Sequence, residues 1–105
     1  VIAHVGTTIG GSIGVTEAAV SMETAVDRVR AIAEAARAIR PDVICLSHGG
    51  PIVSPSDAAY VNQQAGTVGF VGASSLERLA FEGALTQLTR EFKAIRLDPQ
   101  PSALP

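Results

Sequence analysis

Three short, nearly unbroken apolar runs alternate with three longer stretches in which apolar residues return every third or fourth position. The runs are Val1-Ile2-Ala3-His4-Val5, Val43-Ile44-Cys45-Leu46 and Val68-Gly69-Phe70-Val71. A run apolar at successive positions is what a parallel strand covered on both faces requires. Between the first two runs, Met22, Val26, Val29, Ile32 (with Ala33), Ala36 and Ile39 fall in steps of three and four, one stripe along a helix over 22–39. Ser21 stands as its N-cap, and Pro41 bars its continuation. Ser54-Pro55-Ser56-Asp57 reads as a second helix start, with serine at the cap, proline at the first helical position and a carboxylate three residues after the cap. That helix is expected over 55–64, with Gly66 as its stop. After the third run, Phe81, Leu85, Leu88, Phe92 and Ile95 mark the core stripe of a last helix ending near Ile95. Ser74 is expected to cap it, with Glu77 at the capping-box spacing and Gly83 marking close packing.

The fold class is therefore α/β, a parallel βαβαβα segment with right-handed crossovers. Three strands make a sparse sheet with exposed edges, so the segment reads as part of a larger sheet or barrel, and without the missing strands another copy of the chain or another chain is expected to cover the edges. The long loop after the first strand, residues 6–20, contains Gly10-Gly11-Ser12-Ile13-Gly14. The chain begins without methionine inside a strand and ends in a proline-rich tail, so its start reads as cut and its end as a true C-terminus. Residues 1–96 are expected to form the domain and 97–105 the tail.

Composition narrows the function. The 105 residues are 47% hydrophobic and 17% charged, with net charge −2 and both signs interspersed, which argues against a nucleic-acid footprint. Arg28, Arg30, Arg37 and Arg40 share one helix with Asp27 and Glu34 and read as a solvated face. No apolar run approaches the roughly 20 residues of a membrane span, and the opening run lacks the basic flank of a signal peptide. A single cysteine rules out an internal disulfide framework and suggests a cytoplasmic protein. Cys45, between Ile44 and Leu46, reads as a small buried apolar residue.

Candidate chemistry gathers where the strands end. Ser47-His48-Gly49-Gly50-Pro51 follows the second strand, and Gly72-Ala73-Ser74-Ser75 follows the third and opens a helix. Backbone N–H groups in such loops, with the positive end of a helix, suit an anion. Gly49, Gly50, Gly72 and Ala73 would offer amides, and Ser74 and Ser75 hydroxyls. Gly10, Gly11 and Ser12 form a weaker third loop, with Thr7 and Thr8 as further hydroxyls. His4 and His48 stand at the C-terminal ends of their strands, the functional edge of parallel α/β folds. Either could act as general acid or base, metal ligand or neutral hydrogen-bond donor, or could simply hold a loop. Arg78, in the first turn of the last helix, could reach an anion or point to solvent. P-loop and dinucleotide fingerprints are absent, as are a closed metal site and a G-x-S-x-G elbow.

Taken in order, His4-Val5-Gly6-Thr7-Thr8-Ile9-Gly10-Gly11-Ser12-Ile13-Gly14, His48-Gly49-Gly50-Pro51 and Gly69-Phe70-Val71-Gly72-Ala73-Ser74-Ser75-Leu76-Glu77-Arg78-Leu79 resemble the C-terminal part of the phosphoenolpyruvate hydrolase-like family, also called TIM-barrel signal transduction proteins. The resemblance covers residues 1–95. It implies a (β/α)8 TIM barrel, of which this chain is roughly the last three β/α units, with the His48 and Gly72 loops as the phosphate-gripping pair. It further implies a hydrolase acting on a small phosphorylated or carboxylated acid such as phosphoenolpyruvate. A divalent metal such as Mg would then be held by ligands outside this chain, so activity of this chain alone is not expected. The alternatives are a non-catalytic metabolite- or nucleotide-sensing domain, or an inactive piece that folds by self-association. The implied partners are a small anionic metabolite and either a second copy or the rest of the barrel, with neither nucleic acid nor membrane.

Overall fold

The computed structural model describes residues 1–12, 16 and 20–96. Ile13 and Gly14 of the long loop and the proposed tail at 97–105 lie outside the described residues. The elements are β1 (Ile2–His4), α1 (Met22–Ile39), β2 (Leu46–His48), α2 (Pro55–Ala65), α3 (Ser74–Glu77) and α4 (Leu79–Lys93). β1 and β2 pair in parallel, with Ile2 opposite Leu46, Ala3 opposite Ser47 and His4 opposite His48. The ladder continues back beyond β2, because the Val1 amino group donates to Ile44 O at 2.7 Å.

The third run joins the sheet on the far side of β2. Val68 N–H donates to Cys45 O, Ser47 N–H to Gly69 O and Val71 N–H to Ser47 O, at 3.0, 3.0 and 2.9 Å. In a regular parallel ladder through Ser47 and Phe70, Cys45 O would accept from Gly69 rather than Val68; the register thus slips by one residue in the third strand, a bulge that leaves a single parallel bridge between Ser47 and Phe70. Gly69 sits in that bulge, where a Cβ would come within 2.9 Å of the Leu46 side chain. The fold is thus α/β with parallel strands in chain order, as the alternation predicts, and it is consistent with a partial barrel segment.

Ser21 caps α1 by accepting from Thr24 N–H at 3.1 Å. At the other end Arg40 is extended (φ −136°, ψ 100°), the conformation that a following proline imposes. α1 buries Ala25, Val26, Val29 and Ala33. This face is rotated from the expected stripe, leaving Ile39 in solvent. The small side chains let the helix lie close to the sheet, where Ala3, Val5, Ile52, Val61 and Ala65 complete the core.

α2 begins with a complete capping box. The Ser54 hydroxyl accepts from Asp57 N–H at 3.1 Å, and the Asp57 carboxylate accepts from Ser54 N–H at 2.9 Å and Val53 N–H at 3.1 Å. Burial pushes the Asp57 carboxyl upward, but the Ser54 hydroxyl and the two backbone N–H groups outweigh it and hold the group below its ordinary value. The depressed value means that the cap contributes fully above the ordinary aspartate range and is lost as pH falls through the folded value. Ser54→Ala should cost about 1 kcal/mol in urea unfolding at neutral pH, and the difference from the parent should shrink in acid.

α2 ends at Gly66 in the left-handed region (φ 73°) and carries no basic residue in its last turn. α1 supplies the missing positive charge: Arg30 donates to Gln64 O at 3.1 and 2.8 Å, and Arg37 donates to Gly66 O. Two arginines expected to face only solvent therefore tie α1 to the end of α2.

The structure corrects two expectations. Among the described residues, helices cover one face of the sheet, and Ile44 remains 65% exposed on the other. The last helix is also not a single capped element. α3 is one turn whose cap position, Ala73, makes no side-chain bond, so the Ser74–Glu77 box does not form. Arg78 (φ −97°, ψ −55°) separates it from α4. α4 buries no residue: its apolar stripe faces solvent, with Phe81 70% and Phe92 65% exposed.

Candidate functional site

Parallel pairing brings the ends of β1, β2 and the third strand to one edge. There the loop after β1 and the loop after β2 interlock through their backbones. Val5 N–H donates to His48 O at 3.0 Å, Gly50 N–H to Gly6 O at 2.8 Å and Ile9 N–H to Gly50 O at 3.4 Å. This close approach requires glycine. Gly49 has φ +82°, and a Cβ there would fall on Gly6 O; Gly50 has φ +59°, and its Cβ would lie 2.7 Å from Val5 O.

The histidines stand side by side across this junction, their rings edge to face with centroids 4.9 Å apart. The His4 ring also borders Gly49, since a Cβ at Gly49 would lie 3.6 Å from His4 Cε1. Gly6 N–H donates to His4 Nδ1 at 3.2 Å. His48 Nδ1 is hydrogen-bonded to Val71 O at 2.7 Å. That bond ties the end of β2 to the residue preceding Gly72, so the two candidate loops leave the sheet as neighbours. The Phe70 ring stands 6.5 Å from the His48 ring.

Among the described residues, the backbone N–H groups of Gly49, Gly72, Ala73, Ser74 and Ser75 have no protein acceptor. The Gly50 N–H differs, being committed to Gly6 O. Where the two loops pass into their helices, a cleft of about 260 Å³ opens, lined by Val53, Ser54, Pro55, Phe70, Ser75 and Leu76. Its walls are apolar apart from two serine hydroxyls, of which Ser54's caps α2.

The third loop is engaged elsewhere. Ser12 donates both its N–H, at 2.8 Å, and its hydroxyl to the Glu82 carboxylate. Arg78 donates to Gly10 O at 2.8 Å and to Glu82 at 3.1 Å. Gly11 has φ +80°, and a Cβ there would land on the Arg78 and Glu82 side chains. Gly10, Gly11 and Ser12 are thus clamped to the start of α4, and Arg78 is occupied by the clamp. The i,i+4 spacing of Arg78 and Glu82 is visible in the sequence, but their partner loop lies far upstream and carries no local signal.

The Ser12 hydroxyl and then its N–H, with Arg78 behind them, hold the Glu82 carboxyl below its ordinary value against the opposing effect of burial. Glu82→Gln should lower Tm at neutral pH. Because the depressed group loses its contribution as pH falls, the Tm gap should close in acid.

The phosphoenolpyruvate hydrolase-like family profile matches residues 1–95. The chain belongs to this family. Two relatives come from Solanum lycopersicum, a ToMV susceptible protein and a ToMV resistance protein. Each is 50% identical over 99 residues, covering 93% of this chain and 13% of the tomato protein. A Sinorhizobium fredii protein named as a candidate transcriptional regulatory protein is 32% identical over 92 residues, covering 88% of this chain and 15% of its own length. The matched span of this phosphoenolpyruvate hydrolase-like domain contains both loops and both histidines. No three His, Cys, Asp or Glu side chains among the described residues stand close enough to hold a metal ion. No helix among the described residues is long and apolar enough to cross a membrane.

Proposed function

We propose that this chain supplies the anion-binding part of a phosphoenolpyruvate hydrolase-like TIM barrel, gripping the charged group of a small phosphorylated or carboxylated acid such as phosphoenolpyruvate. The observation that carries this reading is the set of uncommitted N–H groups on two neighbouring loops at one sheet edge. Gly49, Gly72 and Ala73 offer backbone donors, Ser74 and Ser75 add hydroxyls, and Gly50 holds the first loop in shape. His48 and His4 stand at the same edge to meet the bound group. Preorganised donors of this kind stabilise a developing negative charge without reorganising. Hydrolysis would need further groups from the rest of a barrel. That remainder, or a second copy, would cover the bare sheet face around Ile2, Ile44 and Val68 and the α4 stripe.

A second reading is a sensing domain that binds a phosphorylated metabolite or nucleotide and reports it to a fused partner. The names of the relatives, a resistance protein and a candidate regulator, favour it.

A thermal-shift panel on the chain with inorganic phosphate, phosphoenolpyruvate, pyruvate and nucleotides separates these readings. A rise specific to phosphoenolpyruvate that disappears in His48→Ala supports the enzyme reading, and one specific to a nucleotide supports the sensor. An equal rise with every anion reduces the site to a general phosphate cup. No rise with any of them overturns both readings.

A further inference from the structure

The two histidines are anchored to the backbone in opposite senses. Gly6 N–H can only donate, so the His4 Nδ1 that receives it carries a lone pair, and the proton of the neutral ring sits on Nε2. Val71 O can only accept, so the His48 Nδ1 beside it carries the proton and its Nε2 is left with the lone pair. Two adjacent imidazoles are thereby fixed as opposite tautomers. Among the described residues no carboxylate or guanidinium is hydrogen-bonded to either ring. Arg78 and Glu82 are taken up by the Gly10–Ser12 clamp, Asp57 by its own cap, and Arg30 and Arg37 by the end of α2.

The tautomers also argue against a metal bridging both Nε2 atoms. His4 would have to move its proton to Nδ1 and give up Gly6, whereas His48 could ligate without cost.

We infer that the pair divides its labour, His48 Nε2 serving as the proton acceptor of the site and His4 Nε2–H as a fixed neutral hydrogen-bond donor, and that together they read a phosphate group able to share one proton. The phosphate half of this inference rests on the anion-cup reading above; the tautomers do not. A singly protonated phosphate presents one O–H to His48 Nε2 and one anionic oxygen to His4 Nε2–H. When a dianion binds, one proton is taken from solvent and is shared between His48 Nε2 and a phosphate oxygen; no other bond forms or breaks. His48 can carry that proton while keeping its bond to Val71. His4 cannot be protonated at Nδ1 without losing Gly6.

Long-range ¹H–¹⁵N spectra of the imidazole rings in the chain test the tautomers with no ligand present. The expected result is an Nδ1–H signature at His48 and an Nε2–H signature at His4; the same tautomer at both, or free-imidazole averaging at both, overturns the inference. Calorimetric titration with inorganic phosphate above its second pKa, in two buffers of different ionisation enthalpy, reads proton uptake. Asn places its amide near the position of Nδ1, so His48→Asn keeps a donor for Val71 and His4→Asn keeps an acceptor for Gly6. Parent and His4→Asn should take up a proton on binding, and His48→Asn should not, with affinity reduced about ten-fold or more in each variant. Uptake persisting in His48→Asn overturns the division of labour. If phosphate fails to bind while the tautomers are as stated, the anion-cup reading and the phosphate half of this inference both fall, and the fixed opposite tautomers stand.

Discussion

Gly49→Ala is expected to destabilise the chain by on the order of 3 kcal/mol and to abolish phosphate binding together with the fold of the rim. Two costs add. An L-residue at φ +82° is strained by about 1–2 kcal/mol, and the new Cβ would meet Gly6 O, a backbone atom pinned by the Gly50 N–H bond. Relief requires the loops after β1 and β2 to separate, which also displaces His4 from Gly49. Gly72→Ala provides the contrast. Its Cβ would meet mainly the Leu76 side chain, at 2.6 and 2.8 Å, which can turn aside, and Gly72 does not adopt positive φ. Urea unfolding of the two variants should separate them clearly. Equal, small losses would mean that the interlocked loops contribute little.

Ile52→Ala should cost about 3 kcal/mol, within the range for emptying an aliphatic core position. Ile52 is fully buried and heads the large side chains of the core. It follows the Gly49-Gly50-Pro51 turn, and its N–H donates to Gly49 O at 3.2 Å, so it fastens the rim loop from below. Val29 and Val61, which share its core cluster, sit on different helices, so filling the space left by Ile52 would require two helices to shift. With total stability of a domain this size near 5–15 kcal/mol at best, and only one sheet face covered, such a loss should leave a large unfolded fraction at 37 °C. Circular dichroism melting of the variant measures it. A Tm within a degree or two of the parent would show that Ile52 is not part of a tight core.

Much of the fold can be read from the sequence because local chemistry and tertiary structure agree there. Ser21, Pro41, the Ser54–Asp57 box and Gly66 each act at the positions their types predict. The α1 stripe is less readable. Apolar spacing gives a period but not which edge of the stripe meets the sheet, and packing selected the alanine side over Ile39. The third strand is weakened by a bulge that no residue pattern announces, although Gly69 marks its place. The α4 stripe has a helical period, and the period alone cannot name what it packs against; among the described residues none of α4 is buried. At the site, the neighbouring positions of His48 and the Gly72 loop follow from parallel strands in chain order. The Ser12–Glu82–Arg78 clamp does not, because it joins residues far apart in sequence through side chains on an unpredictable loop path. The anchoring of each histidine depends on single backbone atoms, Gly6 N–H and Val71 O, which only coordinates can place.

Backbone amide shifts of the ¹⁵N-labelled chain, followed through a titration with inorganic phosphate and then phosphoenolpyruvate, bear most directly on the shared anion site. The expected result is concerted, saturable movement of the Gly49, Gly72, Ala73, Ser74 and Ser75 resonances with one common midpoint. Movement confined to one loop, or displaced to the arginines of α1, or absent up to high ligand concentration, would contradict it.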